Sequence, residues 1–170
     1  MIPESLNDAA DLEAAFLAWN EQFFRYVFAR IRQQEVAEDI VQDAFTKAWE
    51  KRHSFQSGRA SLRTWLFTIV VNTMRDHFRR QKRRGTDPLD DEIADDIDIV
   101  HDVDTVVMSE FVLACLRMLS EREQELLTLR YINALSIQEV CHITGMKESA
   151  VKVAIHRAIS KLRDICNADS

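Results

Sequence analysis

The chain is expected to be all-α, built as two small helical domains joined by a flexible acidic linker. Only three glycines and two prolines occur in 170 residues. Ala, Leu, Glu, Arg and Gln are abundant, and β-branched residues nowhere alternate with polar ones over the length of a strand. Charge is partitioned along the chain. Six arginines and lysines stand between Arg75 and Arg84 against Asp76 alone, and nine carboxylates with no Lys or Arg follow from Asp87 to Asp104. That acidic run, with Pro88 near its start, buries too little apolar surface to offset the entropy of ordering. It separates an amino-terminal body at 12–85 from a carboxy-terminal body at 105–168, with the linker at 86–104. Each body is near the size at which small helical domains fold.

Several function classes are disfavoured. The longest apolar stretches, such as Ile69-Val70-Val71, fall far short of the roughly 20 residues of a membrane span. Glu4, Asp8 and Asp11 stand where a secretory signal has a basic start and an apolar run. A cytoplasmic chain without membrane insertion is expected. Cys115, Cys141 and Cys166 form an odd set with no CxxC pair and with apolar neighbours, as reduced helix-packing residues do. Cys141 and His142 are adjacent, and adjacent helical residues diverge by about 100°, a poor geometry for one ion. No metal or other cofactor is expected. His53, His77, His101, His142 and His156 pair with no carboxylate or nucleophile at catalytic spacing, so the chain reads as a non-enzyme. The net charge of -6 opposes a nucleic-acid partner only as a sum; its distribution leaves a basic segment intact.

In the amino-terminal body, Ala37, Ile40, Val41, Ala44, Phe45 and Ala48 recur at the spacing of one helix face. The opposite stripe holds Asp39, Gln42, Asp43, Thr46 and Glu50, which a solvated face explains as well as a docking surface does. After a loop at Phe55–Ala60, in which Gly58 supplies a turn, a second helix places Leu62, Trp65, Leu66, Ile69, Thr73 and His77 on one side. Thr68, Asn72, Arg75 and Arg79 share another. Arginines at this spacing neutralise phosphates, and Asn72 offers a donor and an acceptor to a base edge. A plain basic helix terminus accounts for the arginines, though poorly for Asn72.

The carboxy-terminal body is punctuated by two capping boxes, Ser120-Glu121-Arg122-Glu123 and Ser136-Ile137-Gln138-Glu139. The first predicts a helix to about Tyr131; the second predicts a short helix that breaks at Gly145. From Val151 a third helix turns Val151, Ile155, Ala158, Ile159 and Leu162 inward and Lys152, Val153, His156, Arg157 and Ser160 outward. Cys141 as the small residue, Gly145 at the turn, and Met146 and Val151 for packing give the pattern of a helix-turn-helix. In that motif the last helix enters the major groove. Lys152 and Arg157 then reach phosphates or guanine and Val153 reaches a thymine methyl. Three helices packed without DNA remain the other reading.

These segments resemble the extracytoplasmic-function (ECF) sigma factors of the sigma-70 family. Ala37 to Phe45 is similar to their polymerase-binding segment. Leu62 to Arg84, with Arg63-Thr64-Trp65-Leu66 and Asn72 ahead of Asp76, is similar to their upstream promoter helix. Leu119 to Arg163, with Arg130-Tyr131, Leu135-Ser136, Gln138-Glu139 and His156-Arg157-Ala158, is similar to their carboxy-terminal domain. The resemblance implies a sigma region 2 helical bundle at 12–85 and a sigma region 4 helix-turn-helix domain at 105–168. It implies a monomer that binds core RNA polymerase and promoter DNA and is covered by an anti-sigma protein when idle. Asp39, Gln42 and Asp43 would dock on the polymerase. Phe55, Asn72, Arg75, Asp76, Arg79 and Arg80 would meet the minus-ten element, with the Phe55–Ala60 loop and Asn72 holding a flipped base. Lys147, Ser149, Lys152, Val153, His156 and Arg157 would read the minus-thirty-five element.

Three departures from the family pattern concern the recognition helix. Lys147 stands where a capping serine is common, and lysine cannot accept an N–H bond. Ser149-Ala150 replaces Gly-Thr, and Ala154 replaces an arginine, so part of the phosphate contact passes to Lys147. A stand-alone helix-turn-helix regulator is the alternative, and it predicts a dimer on a palindromic duplex. For the linker, one reading has Asp90–Asp104 folding back on Arg75–Arg84; the other leaves it solvated.

Overall fold

The computed structural model describes residues 4–85 and 110–168. The acidic linker expected at 86–104, and its suggested fold-back, lie outside the described residues. Among those residues the chain is all-α, with no strand.

Helix α1 (Ala9–Ile31) starts at Asp8, whose side chain accepts the Asp11 N–H at 2.9 Å, and ends at Arg32 in the left-handed region, φ 59°. The chain turns there into α2 (Gln34–Glu50), whose buried residues are the six expected: Ala37, Ile40, Val41, Ala44, Phe45 and Ala48. A single 3₁₀ turn at Arg52–Ser54 leads through the Phe55–Ala60 loop to α3 (Leu62–Arg84). Ser61 caps α3 by accepting the Thr64 N–H at 3.2 Å, and Gly85 ends it with φ 67°. These three helices form a bundle around aromatic rings. Phe23 meets Phe45 and Phe67 at 5.7 and 5.0 Å, and Tyr26 meets Phe67 edge-on at 5.4 Å. Edge-to-face contacts of this kind add to plain area burial.

The inward side of α3 is broader than the sequence suggests. Leu62, Leu66 and Thr73 are buried as expected, but so are Thr64, Phe67, Val70, Val71 and Met74, while Trp65, Ile69 and His77 are half-buried. The reason is that α3 packs on both sides, against α1 and α2 and also against the carboxy-terminal helices. A helix with neighbours on two sides has no single apolar stripe.

In the carboxy-terminal half, α4 (Glu110–Arg117) precedes α5 (Glu121–Leu127), α6 (Ile137–Thr144) and α7 (Glu148–Ala168). Both expected capping boxes form in full, at Ser120/Glu123 and Ser136/Glu139. The helix expected to continue to Tyr131 does so with a change of pitch: Thr128–Ile132 is a π turn. The Asn133 N–H and its side-chain amide both donate to the Thr128 carbonyl at 3.1 Å, and Ala134 then takes φ 51°. The extra residue in that turn delivers Leu135 into the core, where it is fully buried. Gly145, φ 71°, ends α6 and sends the chain into α7, a backbone conformation that glycine adopts without strain.

Phe67 is fully enclosed and anchors the ring cluster, so Phe67→Ala should cost about 3–5 kcal/mol, read as a lowered urea midpoint. Gly145→Ala should cost about 1–2 kcal/mol from its left-handed φ alone, with α7 still helical by circular dichroism.

Candidate nucleic-acid interface

Three exposed surfaces carry the residues singled out by sequence. On α2, Asp39 and Gln42 are exposed and Asp43 is half-exposed, held to Lys47 at 2.8 Å. Asp39 and Asp43 edge a shallow hollow whose far wall is Thr73, His77 and Arg80 of α3. Arg80 therefore borders the acidic stripe, on the His77 side of α3.

The second surface is the opposite side of α3. Asn72 is exposed and its Oδ1 accepts from Arg75 Nη1 at 3.1 Å. Arg79 pairs with Asp76 one turn apart. Phe55 is half-buried on the Trp65 ring at 5.5 Å, and Trp65, expected on the packed side with Leu62 and Leu66, lies instead seven residues, about 10 Å, from Asn72 and within about 20° of it around the helix. The loop and the amide thus flank one strip of α3.

The third surface is α7. Val151, Ile155 and Ala158 are buried, as expected, and Lys147, Ser149, Lys152, Val153, His156 and Arg157 are all exposed. The Val151 N–H donates to the Lys147 carbonyl at 3.0 Å, which puts Lys147 at the cap position. Lys152 pairs with Glu148 at 2.5 Å, and that carboxylate raises its pKa. Val153, 49 % exposed, is an uncovered methyl surface in the middle of a polar face.

One arrangement had no forerunner in the sequence reading. Glu125 of α5, only 4 % exposed, is met by guanidinium groups from three helices. Arg75 Nε and Nη2 donate to its two oxygens at 2.9 and 2.6 Å, Arg122 Nη1 donates at 2.6 Å, and Arg30 Nη1 lies 3.9 Å away. Arg30 also donates to the Tyr26 hydroxyl at 3.4 Å. Burial pushes that phenol up to about 12, against the opposing pull of Arg30. The bond to Glu125 raises Arg75 in turn, more than burial lowers it. Nearby, Lys82 reaches Glu121 at 2.6 Å, Gln22 donates to the Asn133 carbonyl, and Arg63 reaches Glu139 at 2.5 Å. Burial alone would raise the Glu139 carboxyl. The Ser136 N–H, Arg63 and the Ser136 hydroxyl together outweigh it and hold the group below its ordinary 4.5. The available clue was a lone carboxylate set among Leu126, Leu127 and Leu129, since a charge on an apolar stripe needs a partner.

A two-module helical chain with a basic, amide-bearing helix in one half and an exposed helix-turn-helix in the other is a DNA-binding transcription protein in class. Residues 16–84 match sigma-70 region 2 and residues 111–162 match sigma-70 region 4. The sigma factor YlaC of Bacillus subtilis is 31 % identical over 89 % of this chain and 90 % of its own length. The ECF sigma factor BldN of Streptomyces coelicolor is 26 % identical over 89 % of this chain, which spans only 59 % of BldN. Among solved structures, the sigma factor RpoE of Bartonella quintana, in complex with the anti-sigma factor NepR, aligns with TM-score 0.74 at 25 % identity over 95 % of this chain and all of that one. CnrH in complex with the cytosolic domain of CnrY aligns at 0.72 and 25 % identity, over 96 % and 92 %. The chain belongs to the ECF sigma factors of the sigma-70 family.

Burial, with Arg80 second, lowers the His77 pKa from 6.5, and its Nε2 is enclosed without a partner. The fold therefore favours the neutral ring over the imidazolium. Stability should be whole above 6.5 and should decline as pH falls from there through the lowered value. His77→Gln should shrink the loss of urea midpoint between about pH 7.5 and about pH 5.5; equal losses in both chains would assign the effect to another group.

Proposed function

We propose that this chain is an alternative sigma factor, a non-enzymatic subunit that binds core RNA polymerase and directs initiation at chosen promoters in the cytoplasm. The carrying observation is the pairing, within one chain, of an exposed α7 recognition face with a second surface of different chemistry on α2 and α3. A lone duplex reader has no use for the second.

In this reading the amino-terminal body at 12–85 works on both polymerase and melted DNA. Asp39, Gln42 and Asp43 form an acceptor stripe for a basic helical surface of the core enzyme. The exposure of Asp39 and Gln42, with Asp43 half-exposed beside them, supports that role. Asn72 offers its amide to the Watson–Crick edge of an unstacked base, while the Phe55 loop walls the same strip of α3; trapping such a base shifts the duplex toward the open form. Arg75 and Arg79 neutralise the adjoining phosphates, and Asp76 orients Arg79. Arg80 lies beside the acidic stripe and serves the polymerase-facing side. On α7, Lys147, Ser149 and Lys152 reach phosphates, and Val153, His156 and Arg157 face base edges in the major groove. An anti-sigma protein is the expected regulator, by analogy with the anti-sigma factor NepR in complex with RpoE. A dimeric regulator on a palindrome is not favoured, because the region 2 match has no part in it.

Alone the chain should bind duplex DNA weakly, since a net charge of -6 opposes approach. With purified core polymerase it should direct transcription from a fixed start site. Asn72→Ala should lower open-complex formation, read by permanganate reactivity, with core binding retained. Arg157→Ala should weaken promoter binding by about 1–3 kcal/mol with little effect on a pre-melted template. Failure to associate with core polymerase would overturn the proposal, and full melting by the Asn72 variant would remove that residue's role.

A further inference from the structure

Asn72, Arg75, Arg79 and Lys82 follow one another at spacings of three, four and three, so they share one stripe of α3. That stripe is partly covered. Glu121 and Glu125, one turn apart on α5, take Lys82 at 2.6 Å and Arg75 at 2.6 and 2.9 Å. At the start of α3, Glu139 takes Arg63 at 2.5 Å. Arg75 presents two parallel N–H groups to two oxygens, the geometry in which guanidinium also grips phosphate. The same hand that would hold the DNA backbone holds a carboxylate from the other half of the chain.

We propose that the acidic edge formed by Glu121, Glu125 and Glu139 is an internal phosphate mimic. It closes the two modules on each other in the free chain and competes with DNA for the cations of α3. This rests on the reading of α3 as a DNA-binding helix. Closure is also incompatible with reading both promoter elements. Sites about 25 base pairs apart lie on the order of 85 Å apart along a duplex, whereas α3 and α6 touch here.

Burial ranks the pairs. Lys82–Glu121 is open to water on both sides and contributes little. Glu125 is the keystone because its side chain is 5 % exposed, while Arg75 at 34 % is the member that DNA can reach. When Arg75 leaves, Glu125 is not stranded, since Arg122 of its own helix stays with it at 2.6 Å. Arg30 in turn keeps the Tyr26 hydroxyl and the Phe78 ring. Each side of the seam retains a partner on opening, which keeps the open form accessible.

The test uses the full chain with Glu121→Gln, Glu125→Gln and Glu139→Gln combined. Its control carries Glu13→Gln, Glu35→Gln and Glu50→Gln, an equal charge change on exposed sites of α1 and α2. Binding of a fluorescein-labelled, mixed-sequence single-stranded oligonucleotide is followed by anisotropy at low salt, and the radius of gyration by small-angle X-ray scattering. The seam variant should expand and should bind at least about fivefold more tightly than the control. Adding Arg75→Ala should abolish that gain. Because Glu139 also caps α6, the pair Glu121→Gln/Glu125→Gln is the second variant and should reproduce most of the effect with unchanged helicity. Equal gains in seam variant and control, or expansion with no gain in binding, would overturn the proposal. Neither outcome would touch the sigma-factor reading, which transcription with core polymerase decides separately.

Discussion

A carboxylate that is almost wholly enclosed cannot stand alone, and Glu125 imposes that constraint on the whole molecule. Its desolvation cost is met by guanidinium groups arriving from α1, α3 and its own helix. For Arg30 and Arg75 to converge, α1 and α3 have to cross at a fixed height. That height is held by Phe23, Tyr26 and Phe67, which meet edge-to-face between them. The ring cluster and the charged seam are therefore one construction, with Tyr26 as the shared piece: its ring faces Phe67 and its hydroxyl accepts from Arg30.

The same construction explains why α3 differs from an ordinary amphipathic helix. One side is buried in its own bundle, another lies against α6, and the remaining strip carries the amide and the cations. Binding chemistry is concentrated on what packing leaves over. On α7 the division is simpler, because only Val151, Ile155 and Ala158 are enclosed and the outer face is uncovered.

Local features were legible in the sequence, and distant ones were not. The α2 core positions, both capping boxes, the Gly145 break and the inward and outward faces of α7 follow from spacings within a few residues, where propensity and periodicity act. The exposure of Asp39, Gln42, Lys152 and Arg157 follows from the same spacings. The seam pairs Arg75 with Glu125 and Arg63 with Glu139, fifty or more residues apart, and no periodicity links them. The double packing of α3 is hidden for the same reason, since periodicity alone does not place Val70 and Met74 on its inward side. The π turn at Thr128–Ile132 departs from the 3.6-residue repeat on which the reading relied.

The two oxygens of Glu139 have separate employments. Oε2 accepts from the Ser136 N–H at 2.8 Å and from its hydroxyl at 2.9 Å, while Oε1 takes Arg63. The oxygen that completes the start of α6 is thus not the one engaged across the seam. Losing Arg63 would leave the cap whole, so the start of α6 does not depend on the contact with α3.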